Sequence, residues 1–410
     1  MLVPEYVEFT LNRLEQKGFC AYLVGGCVRD YLMSKTPYDY DITTNALPQQ
    51  IIECFEDVRT LDVGIKHGTV ALVFDKNIVE VTTFRLDGEY KDNRRPENVE
   101  FTDKIELDLA RRDFTVNAIA YSKTRGFADP FSGGEDIKKK RIACVGNPDE
   151  RFCEDALRIM RALRFSSVLD FEIEEDTRKA IFNNAHLLCN ISLERINVEL
   201  CKMLSGKNVK RVFSEYRDVL CSFLPEMKNM TQENVCKISS GLEKAREQRL
   251  VSLCVFFSFL RDGEYDKHTV ENILSRLKFS KSEKTDVSNV LSKLNDSKSL
   301  SKTDVKKTVS YFGYEPAKVY YSTLMCLDII SNMECDSTFT LIDALQNENA
   351  CLSISSLAID GNDLINNTSI EKKNFGRVLE ILLNEVIEEK TQNTYECLIN
   401  RAKELSGCVL

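Results

Sequence analysis

Asp39-Tyr40-Asp41 is the spacing in this chain that carries the most chemistry. On a strand, residues i and i+2 project from one face, so the two carboxylates would point the same way. Carboxylates held that close repel each other unless a cation lies between them. Mg2+ takes oxygen ligands and leaves positions for water and substrate phosphates, which suits phosphoryl transfer. Glu80, on the strand-like run Val79–Phe84, offers a third carboxylate from a neighbouring strand. Upstream, Gly25-Gly26 lies between the apolar run Ala21–Val24 and a predicted helix holding Val28, Arg29 and Asp30. Glycines there let backbone N–H groups approach a phosphate, and the helix N-terminus adds a favourable dipole. Arg29 adds a charged fork for phosphate oxygens. Alone, the glycine pair reads as a turn and the D-x-D as an acidic strand edge. In this order they read as a metal-assisted phosphoryl-transfer site.

Six stretches in one order, GGCVRD, DYDITT, KHGTV, VEVTTFR, RRDFTVNAIAY and EDALRIMRALRF, resemble the motifs of class II tRNA nucleotidyltransferases, in the tRNA nucleotidyltransferase/poly(A) polymerase family. SLERINVEL and LAIDGNDLI extend the resemblance to the C-terminal region. The resemblance implies template-independent addition of C, C and A to the tRNA 3′ end, using CTP and ATP. It gives Asp39 and Asp41 two Mg2+ ions with Glu80 as third carboxylate, and gives Gly25, Gly26 and Arg29 the triphosphate. One ion would activate the RNA 3′-hydroxyl and the other would stabilise the departing pyrophosphate.

Arg112 offers a bidentate donor, while Asp113 and Asn117, at i and i+4, could face one ribose from a single helix. The resemblance assigns them the recognition of a ribonucleotide. Asp155 and Arg158, at i and i+3, would share a helix face. Cytosine and adenine both present an amino donor beside a ring-nitrogen acceptor, which a carboxylate and a guanidinium can match. Uracil and guanine present the opposite pairing and leave both groups mismatched, a costly outcome for polar groups away from water. Arg161 and Arg164 continue this face, and Leu157 and Phe165 are expected to pack inward. The polar stretch Asp87–Asn98 resembles the family's loop for switching from C to A. In the tail, INNTSIEKKNFG keeps Gly376 but lacks an earlier glycine of the family pattern.

The elements that must position these residues fall into two regimes. The first 140 residues mix strand and helix signals, with strands predicted at Ala21–Val24, Asp39–Thr43, Thr69–Phe74 and Ile78–Phe84. From about Asp149 helical periodicity dominates, as in Asp155–Phe165, Ser192–Leu204 and Phe375–Glu388. The Ser- and Lys-rich stretch Phe279–Lys307 reads as a boundary. The expected fold class is α+β: a small mixed-sheet, polymerase-β-like head (1–140) followed by an elongated all-α neck (141–205), body (206–310) and tail (311–410). The neck would read the base, and body and tail would bind RNA.

A net charge of −9 argues against an indiscriminate nucleic-acid coat, although the basic segment Lys138–Arg164 offers a local RNA-contacting face. The 15 cysteines are scattered with no C-x-x-C, which fits neither a disulfide framework nor a zinc site and points to a reduced, cytoplasmic protein. No apolar run reaches the roughly 18 residues of a membrane helix, and no obligatory protein partner is evident. His67, His186 and His268 do not precede Asp, so no His-Asp phosphohydrolase dyad is present, and none is assigned catalysis. The alternatives are a C-only or A-only tRNA enzyme, a poly(A) polymerase, which would be expected to be basic, and an inactive RNA-binding protein, which would be expected to lack one of the three carboxylates.

Overall fold

This computed structural model describes residues 1–88, 99–263, 267–294 and 300–407. The expected switching loop beyond Gly88 therefore lies outside the described residues. The chain divides into two compact units, Met1–Val235 and Cys236–Leu410. The expected boundaries at 140/141 and 205/206 fall inside the first unit, and that at 310/311 inside the second.

In the first unit, helix α1 (Glu5–Gln16) buries Val7, Thr10 and Leu14, one face of an amphipathic pattern. It precedes β1 (Ala21–Val24), α2 (Gly26–Leu32), β2 (Asp41–Thr44) and α3 (Pro48–Cys54). Then come β3 (Arg59–Gly64), β4 (Thr69–Phe74), β5 (Asn77–Thr83) and a small ladder of β6 (Arg85–Asp87) with β7 (Val99–Phe101). Helix α4 (Ile105–Ala110) leads to the hairpin β8 (Ala120–Ser122) and β9 (Gly126–Ala128), then α5 (Gly133–Lys138). The seven-stranded sheet runs β3-β4-β5-β2-β1-β8-β9, with β2 and β5 parallel and its other pairings antiparallel. Tyr22, Val24, Phe84, Ile105, Leu109, Ala118, Ala120 and Val145 form a core cluster beneath it.

The register sets up the chemistry. Asp41 pairs with Val24 on one side and with Glu80 on the other. The glycine turn that follows Val24 and two carboxylates thus come from three adjacent strands. The predicted strand Asp39–Thr43 starts later than expected, because Asp39 lies in a bend before β2. Strand alternation therefore does not orient Asp39.

The rest of the unit is mainly helical. The short parallel pair β10 (Arg141–Ile142) and β11 (Glu172–Ile173) flanks α6 (Pro148–Glu154) and α7 (Leu157–Leu169). Helices α8 (Glu175–Asn184) and α9 (Leu193–Leu204) follow. Helix α9 packs on α7, and α8 on α6.

The second unit is all helical among its described residues. Its centre includes the helix Arg249–Phe257, buried continuously from Val251 to Phe257. Gly241 lets its helix close on two others: a Cβ there would meet Val255 Cγ1 at 2.8 Å and the Cys326 carbonyl oxygen at 2.9 Å. Within the Ser- and Lys-rich stretch, the described residues include two helices, Lys281–Lys293 and the start of Lys302–Phe312. Ser280 and Glu283 form a reciprocal capping box, and Val287, Val290 and Leu291 supply a buried face. No described helix is long and apolar enough to cross a membrane.

Candidate active site

Gly25 opens the site, at φ +77° and ψ −129°, immediately before α2. L side chains rarely adopt this backbone, and a Cβ there would lie 3.3 Å from Arg112 Nη1. Arg29, on α2, is buried and donates through Nη1 to Asn117 Oδ1 at 2.7 Å. Its Nε and Nη2 donate to Asp30 Oδ1 at 2.9 and 2.8 Å. The turn, Arg29, Arg112 and Asn117 are therefore one assembly drawn from two chain segments, 25–29 and 112–117.

Asp41 is accessible to solvent, yet protein surrounds its carboxyl closely enough that loss of hydration pushes its pKa up to about 6. A carboxyl can meet water on one side while protein crowds it on the others, so exposure and this shift are compatible. The Asp39 and Glu80 charges raise it further, and Arg112 opposes them. The like charges of Asp39 and Glu80 acting on Asp41 are a repulsion that a bound cation would relieve. Among the described residues no group of three or more His, Cys, Asp and Glu side chains forms a ready-made metal cage. Two carboxylates completed by water and substrate phosphates fit Mg2+ better than an all-protein cage would.

Asp113 and Asn117 do not share a helix. Asp113 precedes the extended residue Phe114, and Asn117 ends a single 3-10 turn, Thr115–Asn117. They still meet, with Asn117 Nδ2 3.3 Å from Asp113 Oδ1. Arg161 Nε donates to Asp113 Oδ2 at 2.7 Å. Burial works against ionisation of Asp113, but the charge and hydrogen bond of Arg161, with Arg158 and Asn117, together outweigh it and hold the pKa below its ordinary value. Arg112 Nε is buried and has no hydrogen-bond partner among the described residues, a donor without a protein acceptor.

Asp155 and Arg158 likewise do not lie on one helix. Asp155 is an extended break (φ −141°, ψ 100°) between α6 and α7. Its Oδ1 accepts from Leu157 N at 3.1 Å, an Asx-type turn that starts α7. Asp155 pairs instead with Arg195 of α9, whose Nη1 and Nη2 donate to Oδ1 and Oδ2 at 3.3 and 2.8 Å. Arg158 is 7% exposed and donates to Glu154 Oε2 at 2.5 Å, to the Arg151 carbonyl at 3.1 Å and to the Arg111 carbonyl at 3.2 Å.

The basic segment Lys138–Arg164 is not one solvated face. Lys138, Lys139 and Lys140 are exposed, whereas Arg158, Arg161 and Arg164 turn onto protein partners. Glu199 of α9 pairs with Arg164 at 2.8 Å and lies 4.0 Å from Arg161. Burial pushes the Arg164 pKa down to about 10 despite Glu199. Phe165 packs inward as expected, with the guanidiniums of Arg164, Arg29 and Arg161 at 4.0, 5.3 and 5.5 Å from its ring centre. Residue-type reasoning missed Glu154, Arg195 and Glu199, which hold the arginines and Asp155. Their signal was opposite charge on helices rich in unexplained arginines.

Three family models match in succession. The poly(A) polymerase head domain covers 21–143, a model named for an RNA and SrmB binding site of polymerase A covers 170–231, and tRNA nucleotidyltransferase domain 2 covers 256–402. A CCA-adding enzyme of Ligilactobacillus salivarius is 36% identical over 404 residues, 96% of this chain and 95% of its own length. The chain belongs to the CCA-adding enzyme family. The CCA-adding enzyme of Geobacillus kaustophilus is 47% identical over 60% of this chain and 61% of its own. Several other relatives are matched over about half of their length. A crystal structure of the Bacillus stearothermophilus CCA-adding enzyme in complex with CTP superposes with a TM-score of 0.79 at 28% identity, covering 99% of each chain. Nucleotidyltransferases of this family depend on divalent metal.

Proposed function

We propose that this chain adds C, C and A to the 3′ end of tRNA from CTP and ATP, with no nucleic-acid template. The observation that carries this reading is the convergence, within one compact unit, of the Gly25 turn, the Asp41–Glu80 strand register and the Arg29–Asn117–Asp113–Arg161 chain. Family membership supplies the reaction class, and its relatives carry the name CCA-adding enzyme.

In this reading Gly25, Gly26, Arg29 and Arg112 receive the triphosphate, and the orphaned Nε of Arg112 gains an acceptor. Asp39 and Asp41, with Glu80 beside them, would hold two Mg2+ ions. Bound there, the ions would sharpen the 3′-hydroxyl as a nucleophile and neutralise the departing pyrophosphate. The 3′-oxygen forms a bond to the α-phosphorus as the α–β bridging P–O bond breaks. Asp113 and Asn117 face the ribose, with Arg161 keeping Asp113 ionised. Asp155, steadied by Arg195, accepts from the base amino group, and Arg158, steadied by Glu154, donates to the ring nitrogen. Arg164 supports this set through Glu199 and Phe165. The head spans 1–140 and the neck 141–205, and the helical body (206–310) and tail (311–410) bind tRNA.

Transcripts of one tRNA ending before CCA, after C and after CC test this reading when both nucleotides are supplied. All three should finish at the same terminal A. An A-only enzyme would complete only the transcript ending in CC, and a C-only enzyme would stop at CC and complete none. Poly(A) polymerase activity, which the net charge of −9 disfavours, would extend past that point.

Gly25→Ala should raise KM for CTP and ATP about tenfold with a smaller change in kcat. The added methyl meets Arg112 Nη1 and strains a left-handed backbone worth ~1–2 kcal/mol. Steady-state kinetics decides it, and an unchanged KM would remove the turn from the triphosphate site.

A further inference from the structure

Asp108 on α4 has a completely buried side chain, far from any role in contacting substrate directly. Its carboxylate nevertheless gathers donors from four places. Arg111 Nε and Nη2 donate to Oδ1 at 3.0 and 2.8 Å, and the Arg85 backbone N–H on β6 donates to the same oxygen at 3.3 Å. Arg112 Nη2 lies 3.4 Å and the Thr43 hydroxyl of β2 3.5 Å from Oδ2. Arg111 in turn gives its carbonyl to Arg158. The Arg112 guanidinium also lies against Gly25, so its placement is confined on two sides.

From this geometry we propose that Asp108 is a positioning residue, locking Arg112 and, through Arg111, Arg158 to the strand that carries Asp41. The inference rests on the reading of Arg112 as a triphosphate ligand. A carboxylate deprived of water is expensive, and this one is tolerated because cations and backbone satisfy both oxygens. Nothing about stability alone requires those donors to include Arg112, which faces the nucleotide in this reading, and Arg111, whose carbonyl holds Arg158. The arrangement makes nucleotide placement depend on a residue that the nucleotide never touches.

Asp108→Asn is close to isosteric but removes the charge and turns an amide N–H2 toward one of the arginines. The expected result is a rise of at least about tenfold in KM for CTP and ATP, with kcat changing less. Preference for C and A over U and G should narrow, because the Arg111 carbonyl that holds Arg158 on one side shifts when Arg111 loses its charged partner. Combined with Arg112→Lys, the loss in kcat/KM should be smaller than the product of the two single losses. A merely structural Asp108 would lower the melting temperature yet leave KM and nucleotide preference unchanged, with strictly multiplicative effects, and that result overturns the proposal. Should Asp108→Asn fail to fold, Asp108→Glu retains the charge but displaces it by a methylene. CTP affinity of that full-length variant, measured calorimetrically, should fall, and unchanged affinity overturns the proposal. If Arg112→Ala raises KM but Asp108→Asn does not, only the positioning role fails. If Arg112→Ala leaves KM unchanged, the triphosphate reading fails with it.

Discussion

Asp39→Ala and Asp41→Ala should each lower nucleotide incorporation by about a thousandfold or more, while tRNA affinity and fold persist. The magnitude follows from losing several kcal/mol of charge stabilisation on the reacting oxygens. The structure adds a sign to the stability side of this expectation. Burial, together with Asp39 and Glu80, raises the Asp41 carboxyl above its unfolded value, to about 6. A group raised in this way makes the folded state bind more protons between its unfolded and folded pKa values. Its contribution to stability therefore falls as pH rises through that window and stays unfavourable above it. At neutral pH without divalent cation, removing Asp41 should leave the melting temperature unchanged or higher. Full single-turnover rates in both variants at saturating Mg2+ would refute the metal assignment. A collapse in melting temperature would make the carboxylates structural.

Base choice should move with Asp155 and Arg158. Asp155→Ala should lower incorporation of both CTP and ATP and narrow their lead over UTP and GTP by roughly ten- to hundredfold. A hydrogen bond to a charged partner is worth ~1.5–3 kcal/mol. Because Asp155 also starts α7 through Leu157 N–H and binds Arg195, a control is required. Asp155→Asn keeps an oxygen for Leu157 while placing a donor where the base amino group needs an acceptor. If base reading governs, Asn should discriminate as poorly as Ala. If both substitutions, and Arg158→Ala, lose activity but keep wild-type nucleotide ratios, these residues support the helix and do not read the base.

Much of the head was legible because its strands alternate or run apolar between clear turns: β1 and β4 were anticipated residue for residue. The edge strand β3, RTLDVG, and the three-residue hairpin strands β8 and β9 carry no period long enough to detect. The glycine turn and the placing of Asp41 and Glu80 on neighbouring strands were legible, whereas Asp39, expected on the same strand, lies in a bend before it. Two further local geometries were not legible, for one shared reason: Asp competes for local backbone hydrogen bonds. Asp155 breaks a helix that its spacing seemed to continue, and Asp113 and Asn117 meet across an extended residue and a 3-10 turn. Capping signals were available for the Ser- and Lys-rich stretch, since Ser280-x-x-Glu283 and Ser301-x-x-Asp304 each announce a helix start. Composition alone hid them. Long-range pairs such as Arg195 with Asp155 depend on how α9 packs against α7, which no local pattern encodes.

The most direct test of the account is to supply a tRNA transcript lacking CCA with each nucleoside triphosphate alone and with CTP plus ATP, and to read product length at single-nucleotide resolution. The account predicts two additions with CTP, none with ATP, UTP or GTP alone, and a stop after the third nucleotide with both. A growing ladder of A residues from ATP alone, or no extension under any of these conditions, would contradict it.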